Sequence, residues 1–322
     1  MAGAEHTVIV RRYTSEDAET WNRFVETCRN GTFLHDRRYM DYHADRFDDH
    51  SLMFLCEDEL IAIMPAHIKE GIFCSHNGLT YGGLLLPDST TTETVLLIFE
   101  ALRRYLLEKT DARSIIYRPV PYIYHRYPCE EELYALFRYN AKLVECKASS
   151  AIKLKAPLPI RGRRKLTAAV TGRMRITEEE NYAPFWEILD NRLKSKYGVS
   201  PVHSLEEIER LHALFPEKIR LFTVRDENGD ILGGTLLYVT GCCVHMQYSG
   251  TTEEGRRTSA LDYLYGYLIG ELFCDKEYFD FGVSVEGGGH YLNSGLIAYK
   301  ERLGGRTVTY NTYLIDLKTT EE

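Results

Sequence analysis

The stretch "FDFGVSVEGGGHYLNSGLIAYKERLGGR", residues 279–306, gathers Glu286, His290, Asn293 and Lys300 around three consecutive glycines. An apolar strand leads into the loop and a short helix leaves it. Gly287, Gly288 and Gly289 permit positive φ and close backbone approach, but the spacing fits neither a P-loop nor G-x-G-x-x-G, so a nucleotide phosphate cradle is not expected. Transfer of an acyl group to an amine needs a base for the nucleophile's proton, and Glu286 or His290 can supply it, directly or through water. The loop then belongs to an acceptor site that includes Asn293; the competing reading is a surface turn between strand and helix. Lys300 is either a solvated lysine or a cation that stabilises negative charge.

Two further segments carry candidate groups. In "EEGRRTSALDYL", Arg256 and Arg257 precede Thr258 and Ser259, which can cap the next helix. A helix N-terminus beside two guanidinium groups is an anion site; the alternative is a capped helix with two exposed arginines. In "CCVHMQYSGT", strand alternation predicts Cys243, His245, Gln247 and Ser249 on one face and Val244, Met246 and Tyr248 on the other. His245 is either a site residue or a satisfied core histidine.

The elements that must position these groups are written twice. "HTVIVRRYTSEDAETWNRFVETC" and "GRMRITEEENYAPFWEILDNRL" both read as strand then helix, with Trp21 and Trp186 separated by 165 residues (186 − 21). "SLMFLCEDELIAIMPAHI" and "IRLFTVRDENGDILGGTLLYV" are both strand, turn, strand, the second with Asn228-Gly229 in its turn. Each half continues helix, strand, helix and ends on its own closing strand. A near-constant offset predicts a tandem duplication, with a Pro-containing link over roughly 156–172 and a boundary near residue 156. The order predicts a mixed α+β sheet with helices on both faces rather than a doubly wound dinucleotide fold.

Composition agrees with a soluble globular chain of two ordinary domains: 322 residues, 44% hydrophobic and 27% charged. The net charge of −8 disfavours a large nucleic-acid footprint; the one dense basic run is "RGRRK" at 161–165. No apolar segment is long enough to span a bilayer and no signal peptide is expected. Eight scattered cysteines without C-x-x-C, and no His at metal spacing, predict reduced thiols, a cytoplasmic location and no metal site.

These residues and their order resemble the tandem GNAT-fold acyltransferases of the FemAB-like, or BioF-associated, type. The resemblance rests on Tyr81-Gly82-Gly83, Pro201-Val202-His203, "GGTLLY" at 233–238, "HMQYSGT" at 245–251, the helix from Ser259, "FDFGVS" at 279–284 and "AYKERLGG" at 298–305. It implies two tandem GNAT-like (acyl-CoA N-acyltransferase) domains, each a mixed, mostly antiparallel sheet flanked by helices. Residues 1–156 would shape a substrate groove and 157–322 would bind donor and carry the chemistry. The implied reaction is acyl or aminoacyl transfer to an amine or hydroxyl, on a small molecule or a cell-envelope precursor. The donor is acetyl-CoA or another acyl-CoA, with aminoacyl-tRNA the less favoured choice. A GNAT-fold binding protein without activity is the alternative, since "TTEEGRRTSA" lacks the usual glycine spacing of the donor loop.

On this reading Arg256, Arg257, Thr258 and Ser259 meet donor phosphates. Tyr248 either protonates a leaving thiolate or packs. Lys300 stabilises charge in the cleft. Arg192, Lys196, Tyr197 and His203 crowd a loop over that cleft, unless they form only a packed helix end capped by Gly198. Tyr81, with Asn77, is the first domain's candidate contribution to a groove.

Overall fold

The computed structural model describes residues 7–156 and 172–318; the basic run at 161–165 lies outside them. In chain order the first part contains β1 (Val8–Arg12), α1 (Ala18–Thr27), β2 (Leu52–Cys56), β3 (Glu59–Met64), β4 (His67–Lys69), β5 (Ile72–Cys74), α2 (Thr92–Lys109), β6 (Ser114–Tyr117), α3 (Glu131–Arg138) and β7 (Lys142–Lys153). The second contains β8 (Arg175–Glu179), α4 (Ala183–Tyr197), α5 (Leu205–Leu214), β9 (Ile219–Arg225), β10 (Ile231–Val239), β11 (Cys243–Thr251), α6 (Glu253–Thr258) and α7 (Ala260–Tyr267). It ends with β12 (Tyr278–Val283), β13 (Val285–Glu286), β14 (Tyr291–Leu292), α8 (Ser294–Arg302) and β15 (Arg306–Asp316).

Local chemistry sets several boundaries. The Thr91 hydroxyl caps α2 by accepting from the Thr94 N–H, and Ser204 with Glu207 forms a capping box on α5. Gly198 ends α4 in the left-handed region at φ 69°, as its position after Lys196-Tyr197 predicts. Asn228-Gly229 lies in the β9–β10 hairpin, where the Asp226 carboxylate collects the N–H groups of Asn228 and Asp230.

Two compact units result: Met1–Lys147 with Thr309–Glu322, and Ala148–Val308. In the first, β1, β2 and β3 form an antiparallel sheet, while β4, β5, β6 and β15 form a mixed one. Its core joins Phe54, Phe73, Phe99, Leu102 and Tyr117, all buried; each such side chain contributes about 1.5–3 kcal/mol on leaving water. In the second unit the order is β7–β12–β11–β10–β9–β8, antiparallel throughout except for β12 beside β11. Phe279 and Phe281 of β12 and Val244 of β11 pack with Leu264, Tyr265 and Leu268 of α7 and its continuation. In both units a helix links a parallel strand pair, α2 between β5 and β6 and α7 between β11 and β12.

The sequence predicts that each half keeps its own last strand and that the halves divide at 156. The structure instead divides inside β7, between Lys147 and Ala148, and inside β15, between Val308 and Thr309. Backbone pairing is the cause. Ser149–Lys153 bond to β12 in the second unit, and Tyr313–Asp316 bond to β6 in the first.

Candidate active site

The second unit contains a fork. β11 and β12 pair in parallel at Cys243↔Tyr278, Val244↔Phe279 and His245↔Asp280, and the pairing then stops. Each strand is distorted just beyond that point. On β11 the register with β10 jumps from Met246 to Tyr248, so Gln247 is the extra residue of a bulge. On β12 Gly282 takes φ +74° and the register with β7 shifts between Asp280 and Val283.

The bulge corrects the expected alternation. Ser249 and Met246 both reach the Tyr265 hydroxyl of α7, so they share a face. Tyr248 instead lies on the α4 face, edge-on to Trp186 at 5.3 Å between ring centroids. No alternation rule read from sequence contains a one-residue insertion, which is why the two faces were exchanged.

A buried polar network holds the base of the fork. Asp280 is fully buried between Phe279 and Phe281, where an unpaired carboxylate would be costly. Its Oδ1 accepts from the Ser149 hydroxyl at 2.7 Å and the Gly282 N–H at 3.0 Å, and its Oδ2 meets His245 Nδ1 at 2.7 Å. Lys300 is only 2% exposed and donates from Nζ to the carbonyls of Gly282 and Val283, both at 2.8 Å. Burial pulls its ammonium down to about 8, against the opposing attraction of Asp280. Lys300 is therefore a tie under the kinked strand end and does not project as a solvated cation from α8.

Along β11, the Tyr248 phenol lies 2.7 Å from His203 Nδ1 and accepts from the His203 N–H at 3.2 Å. Burial raises its pKa, so the phenol stays protonated at neutral pH. His203 is itself buried, directly before the Ser204 cap of α5.

A cavity of about 280 Å³ lies past the end of β12, lined by Tyr197, Val283, Ser284, Val285, Glu286, Asn293 and Leu296. The three glycines form the turn of a small hairpin, β13 against β14, all with positive φ. Asn293 ties the hairpin to α8: its amide donates to Glu286 at 2.8 Å and its carbonyl caps the helix through the Leu296 N–H. The buried Ser284 hydroxyl has no partner. Glu286, Asn293 and Tyr197 thus share one cavity. His290 is exposed on the hairpin and does not line it, and Lys300 lies beneath its Val283 wall.

The donor-side candidates are arranged differently from expectation. Thr252, not Thr258 or Ser259, caps the helix after β11, accepting from the Gly255 N–H. Arg256 and Arg257 precede α7 as expected, but they sit in the last turn of the short helix α6 rather than in a loop. Arg257 makes a two-pronged pair with Glu254 at 2.6 and 2.8 Å, and Arg256 reaches the Thr251 carbonyl at 3.4 Å. The Thr258 hydroxyl bonds back to the Glu254 carbonyl, and Ser259 is a left-handed joint between α6 and α7. Gly255 explains the tight turn, since a Cβ there would lie 1.9 Å from the Leu232 carbonyl oxygen. Arg192 is half-buried on α4. Tyr81 is not a groove residue: it is 2% exposed, stacked against Tyr124 at 4.6 Å.

Sequence reasoning missed Asp280, Ser149 and Gly282 as site-builders. The signal was present in "FDFG", where an aspartate between two phenylalanines of one strand must find partners. Ser149 carried no such signal, because its pairing with β12 spans 131 residues. Among the described residues no group of three or more His, Cys, Asp or Glu side chains can hold a metal ion.

Residues 160–301 match the sequence model of the acetyltransferase (GNAT) domain. The chain's fold is similar to that of FemX over nearly its whole length, with a TM-score of 0.68 at 12% identity, covering 96% of this chain and 97% of FemX. L-PGS from Bacillus licheniformis is similar with a TM-score of 0.58 at 14% identity, covering 95% and 92% of the two chains. A tandem GNAT protein from the clavulanic acid biosynthesis pathway gives 0.50 at 11%, covering 98% and 100%. No curated protein sequence matches this chain. The enzyme is an acyltransferase with a tandem GNAT architecture. No described helix is long and apolar enough to cross a membrane.

Proposed function

We propose that the enzyme moves an acyl group from an acyl-CoA thioester to an amine or hydroxyl acceptor within its C-terminal unit. The observation that carries this reading is the fork, where β11 and β12 separate after His245 and Asp280 and a bulge at Gln247 re-aims the β11 backbone. A thioester lying between the opening strands meets backbone N–H groups suited to the oxyanion of the tetrahedral intermediate. Tyr248 keeps its proton through burial and can pass it to the leaving thiolate, with His203 beside it as the second proton carrier. Tyr197, Glu286 and Asn293 bind the polar end of the acceptor, with Arg192 and His290 near the rim. Lys300 keeps the end of β12 in place. Arg256 takes the donor phosphates, with Arg257, Thr258 and Ser259 around it at the α6–α7 joint. The enzyme acts in the cytoplasm.

Aminoacyl-tRNA is the second donor reading, implied by the resemblance of the sequence to the FemAB-like type. The test is direct. Acetyl-CoA and longer acyl-CoA thioesters should raise the melting temperature, and an amine acceptor mixture should gain acyl mass with release of CoA. Stabilisation by none of the thioesters, with transfer from a charged tRNA instead, would replace the first donor by the second.

A further inference from the structure

We propose that His245, oriented by Asp280, is the general base that takes the proton from the acceptor nucleophile. The proposal rests on the acyl-transfer reading and assigns the group that reading leaves open. Asp280 is fixed from three sides: the Ser149 hydroxyl and Gly282 N–H hold Oδ1, and Oδ2 faces His245 Nδ1. A carboxylate can only accept, so Nδ1 carries the proton and the basic lone pair is on Nε2. An aspartate so placed also stabilises the imidazolium that forms when Nε2 takes a proton. The pair sits at the last paired residue of each strand, where the fork begins. The Asp280 side chain is fully buried, whereas the His245 side chain keeps 12% of its surface exposed. A Cβ on Gly282 would lie 3.4 Å from His245 Cε1, and the next residue, Val283, lines the acceptor cavity. The absence of a side chain at Gly282 thus leaves the imidazole room beside that cavity.

Neither alternative has this arrangement. Glu286 is exposed and bonded to Asn293, and His290 is exposed on the hairpin without an orienting carboxylate. The charged and titratable groups around His245 are Asp280 on β12, Lys300 of α8 behind it, and Tyr248 with His203 farther along β11. In the step itself the neutral amine or hydroxyl attacks the thioester carbonyl, forming the new N–C or O–C bond. Its proton passes to His245 Nε2, the C–S bond breaks as the carbonyl re-forms, Tyr248 gives its proton to the departing thiolate, and the proton on His245 returns to the Tyr248 phenolate through water. The products are the acylated acceptor and free thiol, with no other reactant.

Two measurements separate this proposal from the donor assignment. Diethyl pyrocarbonate acylates unprotonated imidazole nitrogens, and peptide mass spectrometry of the intact enzyme reads each histidine without any substrate. His245 should react, and should react more slowly in Asp280→Asn, with exposed His290 as the internal standard. His245 remaining unmodified while His290 reacts would overturn the proposal, whatever the donor. In acetyl transfer from acetyl-CoA, His245→Gln should lower kcat about 10²–10⁴-fold with little change in KM, and abolish the acid limb of the pH profile. Unchanged kcat and an unchanged acid limb would also overturn it while leaving acyl transfer intact. Where acetyl-CoA gives no transfer in the wild type, the donor assignment fails and the modification result alone decides the base.

Discussion

Lys300→Met tests whether the lysine is a buried tie rather than a cleft cation. The substitution keeps the length of the side chain and removes the two bonds to the Gly282 and Val283 carbonyls. Leaving buried acceptors unsatisfied costs about 1–3 kcal/mol each, offset in part by no longer burying an ammonium. The pH dependence is the sharper signature. The folded pKa is lowered from 10.5 to about 8, so the unfolded chain binds more protons between those values and stability rises with pH across that window. Between pH 7 and 9.5 the linkage relation gives a gain of about 2 kcal/mol for this one group. Urea unfolding of wild type and variant at both pH values isolates it, because all other groups titrate in both proteins. The wild type should gain about 2 kcal/mol relative to Lys300→Met on going to pH 9.5. A difference independent of pH would mean that Lys300 titrates normally and is solvated, and the tie would be refuted.

Other perturbations follow from the same geometry. Gly282→Ala places a side chain at φ +74° and should cost about 1–2 kcal/mol in thermal or urea unfolding, with a loss of transfer activity as the fork is disturbed; an unaffected enzyme would contradict the kink. Tyr248→Phe removes the partner of the His203 N–H and ring and should cost about 1–3 kcal/mol while slowing thiol release, read by CoA appearance. Replacing Arg256 and Arg257 together by Ala should weaken acyl-CoA binding about tenfold in calorimetry, with folding unchanged. Burial raises Glu132, which bonds Tyr117 and the Leu84 N–H, to about 8. The folded state then binds more protons above the ordinary carboxyl range, so stability falls from about pH 4.5 to pH 8. That slope should be absent in Glu132→Gln.

Much of the fold was legible because repeated local signals specify it. The two tryptophan helices, the paired hairpins and the crossover helices each carry their own periodicity, and the structure has them in the expected order. The exchange of the last strands was not legible, because β7 and β15 read alike as closing strands and only long-range pairing decides their partners. The site divides in the same way. Glu286, Asn293 and Tyr197 come together because the glycine hairpin and the Gly198 cap fix their positions locally. Lys300 was read as a cleft cation or a solvated lysine, and not as a buried tie, since its acceptors are backbone carbonyls, which no side-chain pattern reveals. Arg256 and Arg257 do precede the helix from Ser259, but they lie on the short helix α6 rather than in a loop, because Thr252, six residues before Thr258, caps a helical turn there.

The central claim is that the thioester lies in the fork between β11 and β12. A crystal structure with a non-hydrolysable acyl-CoA analogue tests it most directly. The acyl carbonyl should lie between the two strands, within hydrogen-bond reach of the β11 backbone near Gln247 and on the side of His245 and Tyr248. A donor bound elsewhere, with the fork empty or closed by side chains, would contradict it.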